Sequence, residues 1–188
     1  MLVIGISGKM YSGKDTFFLM LKEIEKTKPV VRISLADALK EEVFDQVLRP
    51  NGIDREALYD DRKSNFRLLL QWWGTEFRRN QFGQDYWVKK LDEQIEALKA
   101  SGFDGVVVVP DVRFEDEADY ILGREDGWLV RIHRPPKGKE RLKKMFAKEH
   151  CSETSLDDYG CFNYHIRNTK DLEHFKKEVS KCYEDINQ

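Results

Sequence analysis

The sequence predicts an α/β domain built on a mostly parallel sheet, and three observations support this fold class. Short apolar runs alternate along the chain with longer amphipathic segments, which is the pattern of β-α-β units. The first apolar run, at 2–7, is followed directly by a glycine-bearing loop and a helical pattern. A run of four valines at 106–109 has no polar alternation, which is typical of a strand covered on both faces.

About five strands are predicted, each from a short run rich in β-branched or aromatic residues. Pro29 separates the second strand from the helix before it, and Gly105 opens the valine run. The last strand precedes an amphipathic segment at the end of the sequence. The predicted strands cover residues 2–7, 30–34, 105–109, 128–133 and 162–167.

Helices are predicted between these strands. Pro50 and Gly52 end the second helix, and Asp85 can cap the fourth. In the third helix, five apolar side chains recur at helical spacing and predict one buried stripe: Phe66, Leu69, Leu70, Trp73 and Phe77. The predicted helices cover residues 14–26, 37–48, 66–82, 85–100, 115–122 and 171–186.

Length and composition narrow the possible functions. The 188 residues fit one domain, 1–188, and 32 basic against 34 acidic residues argue against a dedicated nucleic-acid binder. No apolar run approaches the roughly 20 residues of a membrane span, and the first residues lack the basic region of a signal peptide. Three cysteines are too few for a disulfide scaffold. We therefore expect a cytoplasmic protein that is neither a dedicated nucleic-acid binder nor a membrane protein.

A phosphate-binding loop is predicted between the first strand and the first helix. Gly8, Gly13 and Lys14 have the spacing G-x-x-x-x-G-K of a P-loop. The glycines let backbone N–H groups turn inward around phosphate oxygens, and the following helix presents its positive N-terminal end. Lys14 then reaches the β- and γ-phosphates of a nucleoside triphosphate. The apolar strand directly before the motif favours this interpretation over an ordinary turn.

One position departs from the usual P-loop. Asp15 follows the lysine where a Ser or Thr normally binds Mg²⁺, and Thr16 comes one residue later. Either Asp15 takes part in the metal site or Thr16 supplies the hydroxyl, and the sequence leaves both open. After the valine strand, Asp111 can hold Mg²⁺ and Arg113 can stabilise charge on a moving phosphoryl group. The alternative role for Asp111 is a helix cap.

The P-loop is compatible with several classes of enzyme. A GTPase needs D-x-x-G and N-K-x-D motifs, but only fragments of them occur, at 157–160 and 168–171, the second in the wrong order. A motor or transporter ATPase has a Glu directly after the strand-end Asp, whereas Val112 follows Asp111 here. The Asp–Arg pair at the carboxyl edge of the sheet favours a kinase over a hydrolase.

A kinase needs a second substrate site, and one face of the third predicted helix offers it. Arg67, Gln71, Gly74 and Arg78 lie on a line opposite the buried stripe. Guanidinium groups bind phosphate bidentately, an amide can read a base edge, and a mid-helix glycine leaves room for a planar ring. The alternative interpretation is a solvated helix face with a chance glycine.

Three further residues are predicted to complete this acceptor site. Asp37 and Lys40 follow the second strand, at the sheet edge that carries the P-loop. Asp37 can instead close a capping box with Ser34. Trp87 can supply a ring platform, although tryptophan is more often a core residue.

A local excess of positive charge follows the fourth strand. Residues 134–148 contain seven basic side chains and one acid. This segment is either a solvated helix face or a mobile lid that closes over phosphates. The lid interpretation covers about 134–153, with the predicted phosphate-binding residues Arg134, Lys137, Lys139 and Arg141.

Taken together, these motifs resemble bacteriophage-type deoxynucleoside monophosphate kinases. The shared segments span nearly the whole chain in order: G-K-x-x-S-G-K-D-T at 8–16, L-Q-x-x-G-T-E at 70–76, D-Y-W at 85–87, D-V-R-F at 111–114 and H-x-S-E-T-S-L-D at 150–157. The Gly-Lys-Asp variant of the P-loop belongs to the pattern of this family. Animal phosphomevalonate kinases are similar more distantly, through the P-loop and a Ser-Glu-x-x-Leu-Asp segment.

The resemblance implies a fold and a reaction. The fold would be the three-layer fold of P-loop kinases, with a helical acceptor-binding region at about 36–101 and a lid. ATP, with Mg²⁺, would transfer its γ-phosphoryl group to a deoxynucleoside 5′-monophosphate and give the diphosphate. The family also includes dimers, which allows a homodimer, and a phage-encoded member would work in the host cytoplasm.

The resemblance also implies residue roles. The ATP phosphates would be bound by Gly8, Lys9, Ser12, Gly13, Lys14, Asp15 and Thr16. The acceptor would be bound by Asp37, Lys40, Arg67, Gln71, Gly74, Arg78, Trp87, Ser152 and Glu153. Catalysis would depend on Lys14, Asp111 and Arg113, with the metal held by Asp15, Thr16 or Asp111.

Two other functions stay open at the level of sequence. Another small-molecule kinase, such as one acting on phosphomevalonate, would share the P-loop but not accept nucleotides. A nucleotide-binding regulatory module would bind ATP without turnover. Two His and two Cys residues between 150 and 165 lack the C-x-x-C pair typical of structural zinc, so we do not expect a zinc site.

Overall fold

The computed structural model describes residues 1–135 and 150–187. The chain divides into two compact units. The sheet unit comprises Met1–Ile33 and Ala97–Gln188, and the helical unit comprises Ser34–Glu96. The predicted acceptor-binding region, at about 36–101, overlaps the helical unit.

The sheet unit contains the five-stranded parallel sheet that the sequence predicts. Its strand order is β2-β3-β1-β4-β5, and every neighbouring pair is parallel. Because β1 pairs with β3 on one side and β4 on the other, it is the central strand. The strands are β1 (Leu2–Ser7), β2 (Val30–Arg32), β3 (Val106–Val109), β4 (Gly127–His133) and β5 (Tyr164–Arg167).

Two strands are two residues shorter than predicted, and β3, which begins at Val106, is one residue shorter. The second strand ends at Arg32, because Ser34 already precedes the next helix. The fifth strand begins at Tyr164, because the Asn163 side chain accepts the Leu129 N–H at 2.7 Å and so ends the strand ladder. All three differences lie at strand ends.

The helices have the following bounds in chain order: α1 (Lys14–Ile24), α2 (Leu35–Val43), α3 (Arg67–Gln71), α4 (Asn80–Phe82), α5 (Tyr86–Ala100), α6 (Glu115–Leu122), α7 (Cys151–Thr154) and α8 (Leu172–Ile186). Short 3₁₀ turns cover Arg49–Asn51, Arg55–Leu58 and Asp61–Phe66. π-Helical stretches cover Phe44–Leu48 and Trp72–Arg79.

Helices cover both faces of the sheet, which gives three layers within the sheet unit. On one face, α1 and α8 pack on the central strands through Phe17, Leu21 and Phe175, all fully or almost fully buried. On the other face, α6 packs on β1 and β4, with Ile121 fully buried. The predicted three-layer α/β fold is confirmed.

The predicted helix over residues 66–82 forms with a different internal geometry. It begins at Arg67 and runs through α3, the π-helical stretch Trp72–Arg79 and α4. A π-helix has wider turns than an α-helix, so side chains three and four residues apart are rotated from their predicted alignment. The predicted straight line of polar residues along this helix is therefore wrong in its C-terminal half.

None of the helices in the described part of the chain has the length and apolar character that a membrane span requires.

The three cysteines provide a test of the packing of α8. Cys182 is fully buried, and burial, together with the nearby Asp185, raises the pKa of its thiol to about 12. Cys151 and Cys161 are exposed.

We expect alkylation of the native protein at pH 8 to modify these two thiols, and Cys182 only after denaturation, because the thiolate is the reactive form. Mass spectrometry of the intact protein counts the adducts. Rapid addition of a third adduct under native conditions would contradict the packing.

Candidate active site

The ends of three neighbouring strands meet at the carboxyl edge of the sheet. In the strand register, Gly5 lies opposite Val109, and Ser7 lies opposite Arg131. The loop after β1 therefore lies beside the loop after β3 and the end of β4. Ligands of open α/β sheets bind at this edge.

The loop between β1 and α1 has a conformation that requires its glycines. Gly8 and Gly13 have φ values of 155° and 108°. A Cβ atom at Gly8 would lie 2.5 Å from the carbonyl oxygen of Ile132, and one at Gly13 would lie 2.8 Å from Asn168 Nδ2. Because α1 begins at Lys14, its first N–H groups have no partners inside the helix and face the loop. The predicted phosphate-loop geometry is present.

Asn168 supports this loop, and sequence reasoning missed it. Its side-chain Nδ2 donates to the Ser12 carbonyl at 2.9 Å, and its backbone N–H donates to the His133 carbonyl at 2.9 Å. Asn168 belongs to the fragment dismissed as an incomplete GTPase motif. Its position directly after the last strand was the available signal, because that position also lies at the carboxyl edge.

The interior of the loop fits a phosphate group. The Ser12 hydroxyl is buried and has no hydrogen-bond partner among the described residues. The Lys14 ammonium donates to the carbonyls of Gly8 at 2.7 Å and Lys9 at 2.9 Å, so it lies across the loop. A buried hydroxyl without a partner costs free energy that a phosphate oxygen would recover. The loop thus offers a hydroxyl, an ammonium and a helix N-terminus to an anion.

Lys14 has an unusual protonation equilibrium. Burial, together with the positive charge of Arg113, lowers the pKa of Lys14 to about 8. The carboxylates of Glu153, Asp15 and Asp111 oppose this shift. The ammonium therefore becomes easier to lose in the ligand-free protein, and anionic oxygens would favour its charged form.

Arg113 is fixed at both its main chain and its side chain. The Glu117 carboxylate accepts the backbone N–H of Arg113 at 2.7 Å and that of Phe114 at 3.1 Å. The Arg113 Nη1 atom donates to Glu153 at 2.5 Å, and it lies 3.5 Å from the Ser152 carbonyl. Glu117 is a second supporting residue that sequence reasoning missed. Its spacing of four residues from Arg113 was a weak signal, since such spacing is common in helices.

Residues 150–157 lie against the phosphate loop. Lys9 donates to the Glu153 carbonyl and to the Asp157 carboxylate, the latter at 2.6 Å. Arg131 donates to the Ser7 hydroxyl at 2.8 Å and to Asp157 at 3.2 Å. The structure thus brings the predicted residues Lys9, Ser152 and Glu153 together with Arg113, and adds Arg131 and Asp157, which had no predicted role.

The predicted metal ligands are compatible with a magnesium ion. Asp15 lies in the first turn of α1, directly after Lys14, and Asp111 follows β3, which pairs with β1. Asp15 is exposed, with Arg32 3.9 Å away, and Thr16 is half-buried. Within residues 1–135 and 150–187, no three His, Cys, Asp or Glu side chains form a metal cluster. Mg²⁺ typically takes one or two carboxylates plus water and substrate phosphates, so these donors fit it.

Two predicted acceptor residues lie on α3 in the helical unit. Arg67 is exposed and Gln71 is half-buried. Neither has a hydrogen bond or an ion pair with another described side chain. Both polar groups are therefore available to a ligand.

The predicted pair on α2 is engaged within the helical unit. Lys40 is buried, and its ammonium lies 3.3 Å from Asp37 Oδ1 and 4.2 Å from the centre of the Tyr59 ring. Asp37 keeps about a third of its side-chain surface exposed. The carboxylate is therefore more accessible to a ligand than the ammonium is.

Gly74 and Trp87 have packing roles. A Cβ atom at Gly74 would lie 3.2 Å from Leu39, and the Gly74 carbonyl accepts the Trp87 indole N–H at 2.9 Å. Trp87 is 5% exposed. The structure thus explains the mid-helix glycine by close approach of a leucine, and ligand contact by either residue stays a prediction.

Arg78 is held in an ion pair with Glu42. Its Nε and Nη2 atoms lie 3.0 and 2.9 Å from the Glu42 carboxylate, which also accepts from Trp73 Nε1 and the Tyr86 hydroxyl. Burial opposes ionisation of Glu42, but these hydrogen bonds and the charge of Arg78 lower its pKa. Four rings surround the guanidinium, those of Trp73, Phe77, Phe82 and Tyr86. The predicted phosphate-binding role of Arg78 therefore competes with a structural one.

Only the first of the predicted lid residues lies within the described part of the chain. Arg134 donates through Nη1 to the carbonyl oxygen of Tyr11, at 3.0 Å, and so reaches the phosphate loop. Lys137, Lys139 and Arg141 lie outside the described residues.

Comparison with known proteins supports this fold. No family model matches the chain. A protein of Acanthamoeba polyphaga mimivirus named "Putative deoxynucleotide monophosphate kinase" is 26% identical, over 100% of this chain and 99% of that protein. Dephospho-CoA kinase from Campylobacter jejuni aligns over 98% of this chain and 96% of its own, with 16% identity and a TM-score of 0.50. The chain has the fold of P-loop kinases.

The lowered pKa of Lys14 predicts a pH dependence of phosphate binding. The ammonium is lost as the pH rises through about 8, so affinity for tripolyphosphate without metal should fall above that pH by up to about tenfold per unit. Titration calorimetry in EDTA between pH 7 and 10 measures this effect. The variant Lys14→Arg keeps its charge and should lack the decline. An affinity independent of pH in the unmodified protein would contradict the assigned position of Lys14.

Proposed function

We propose that this protein is a kinase that transfers the γ-phosphoryl group of ATP to deoxynucleoside 5′-monophosphates and forms the diphosphates. The observation that carries the kinase proposal is the phosphate loop with Lys14 and Arg113 beside it. A buried hydroxyl, an ammonium and a guanidinium gathered at one helix N-terminus suit a transferring phosphoryl group. The nucleotide acceptor is supported by the segments shared with phage-type kinases and by the mimiviral relative that matches the whole chain.

The chemistry requires positioning and charge stabilisation more than proton transfer. Phosphoryl transfer passes through a loose transition state, and the acceptor phosphate is already an oxyanion, so no general base is needed. Lys14 and Arg113 would stabilise the charge on the transferring group. Mg²⁺ held by Asp111 with Asp15 or Thr16 would neutralise the phosphates. In the helical unit, we assign acceptor binding to Arg67, Gln71 and Asp37.

A coupled assay of ADP release tests this proposal. We expect turnover with ATP, Mg²⁺ and one or more deoxynucleoside monophosphates. The ribonucleoside monophosphates and phosphomevalonate serve as parallel acceptors. Turnover with phosphomevalonate alone would favour the related small-molecule kinase. Tight ATP binding without turnover on any acceptor would contradict a kinase and favour a regulatory nucleotide-binding module.

Lys14→Ala should lower kcat by at least about 100-fold, the scale of one well-placed donor to a developing charge. The variant removes the ammonium that lies across the loop, together with its bonds to the Gly8 and Lys9 carbonyls. Steady-state kinetics with saturating ATP and acceptor measures this loss. Lys176→Ala is the matched control, because Lys176 pairs with Glu23 on the surface of α8 and α1. A fall in kcat below threefold for Lys14→Ala would exclude Lys14 from the mechanism.

Arg113→Ala should lower kcat more than it raises the KM of the acceptor. The reason is that a guanidinium beside the loop stabilises charge that develops only in the transition state. The measurement is a full set of initial rates with both substrates varied. If only the acceptor KM changes, Arg113 binds the ground state and contributes nothing specific to phosphoryl transfer.

A further inference from the structure

Glu153 is a carboxylate in a site that should bind phosphates. Its side chain is 12% exposed, and one oxygen accepts from Arg113 Nη1 at 2.5 Å. The other oxygen lies 3.4 Å from the backbone N–H of Met10 in the phosphate loop. A buried negative charge beside a phosphate site repels the substrate unless it has a compensating task.

The contact between Glu153 and Arg113 indicates what the negative charge of Glu153 does in this site. Within the described part of the chain, Nη1 is the guanidinium nitrogen of Arg113 that has partners, and Nε and Nη2 have none. A guanidinium presents its donors in a rigid planar fork, so bonds at Nη1 restrict the directions that Nε and Nη2 can take. Arg113 keeps 38% of its side-chain surface exposed, so these nitrogens are accessible.

The main chain of Arg113 is fixed independently. Glu117 accepts the backbone N–H groups of Arg113 and Phe114, so the start of the Arg113 side chain cannot move freely. Lys9 and Asp157 attach the segment that carries Glu153 to the phosphate loop. The carboxylate is thus anchored to the loop that would hold the transferring phosphate, and the guanidinium is bonded to that carboxylate.

We propose that Glu153 is a positioning residue, which orients Arg113 through Nη1 so that Nε and Nη2 are directed to the transferring phosphoryl group. The proposal rests on the function proposed above and assigns Glu153 an effect through Arg113 in place of direct substrate binding. The charge of Glu153 also supports the charged form of Lys14, which lies nearby. Burial opposes ionisation of Glu153, but Arg113 and the Met10 N–H lower its pKa, so it stays ionised at neutral pH.

A double-mutant cycle between Glu153 and Arg113 tests the proposal. Glu153→Ala should lower kcat about 30- to 100-fold, the cost of a misplaced catalytic group, with an acceptor KM within about threefold. In an Arg113→Ala background the same change should alter kcat by less than about threefold, because Glu153 then has nothing to position. Glu153→Gln keeps an oxygen that accepts from Nη1 and should recover kcat to within about tenfold of the unmodified enzyme.

Controls separate positioning from folding. Asp126→Asn breaks a comparable ion pair, Arg124 to Asp126 at 2.9 Å, at the start of β4 and so at the opposite edge of the sheet. It should leave kcat unchanged within about twofold. Thermal unfolding of each variant shows whether a kinetic loss follows from lost structure. A loss of kcat in Glu153→Ala that only follows its melting temperature would overturn the proposal.

Two further outcomes would also overturn it. The first is that the losses from Glu153→Ala and Arg113→Ala multiply in the double variant, which means that the two residues act independently. The second is that Glu153→Ala lowers the KM for ATP and leaves kcat unchanged, which means that the carboxylate only competes with phosphate.

Failure of the proposed function gives a different result. If the unmodified protein turns over no acceptor, the nucleotide-kinase proposal fails, and the same cycle is measured on the Kd for tripolyphosphate. Coupling between Glu153 and Arg113 in that affinity would support positioning at a phosphate site of another function. Independent effects on Kd would overturn it.

Discussion

The central position of β1 in a parallel sheet is the constraint on which the site depends. Hydrogen bonding on both sides places the ends of β3 and β4 beside the end of β1, so the loops after these strands meet at one edge. β1 and β3 are apolar and almost entirely buried up to Gly5 and Val109, so the polar groups of the site come from the carboxyl ends of these strands, the loops after them and the second half of β4. Ser7, Arg113 and Arg131 converge for this reason, although more than a hundred residues separate the first from the other two.

The cations at this edge are compensated before any ligand arrives. Glu153 and Asp157, from one short segment, take bonds from Lys9, Arg113 and Arg131. Lys14 differs, because its ammonium is bound by neutral carbonyls, and burial, together with the positive charge of Arg113, lowers its pKa. An incoming phosphate therefore gains most from Lys14 and from Nε and Nη2 of Arg113, which have no partner among residues 1–135 and 150–187. Preorganised donors of this kind need little rearrangement when charge develops.

Local patterns made much of this architecture predictable. The five strands, the parallel sheet and the loop from Gly8 to Lys14 follow from spacing and apolar runs, whereas the three layers were implied by the family resemblance. Residues that act through distant partners were not predictable in this way. A helical wheel places Arg78 on the polar face without a partner. In the structure Arg78 pairs with Glu42, which lies 36 residues earlier in the sequence. Gly74 has the spacing of a ligand contact, but the close approach of Leu39 and the hydrogen bond from Trp87 explain why a glycine stands there. The π-helical stretch also turns Gly74 away from the helix face that the sequence predicts for it. Glu117 and Asn168 were missed because their contacts depend on the fold.

The phosphate loop is held by residues that come much later in the sequence, which has a consequence for when it forms. Arg134, Glu153 and Asn168 are bonded to the loop across 123, 144 and 156 residues of sequence. Contacts between residues so far apart form late in folding, because the entropy of closing the intervening chain is lost before they stabilise it. During synthesis the loop therefore gains these supports only after the last strand of the sheet has been made, although the loop itself leaves the ribosome much earlier.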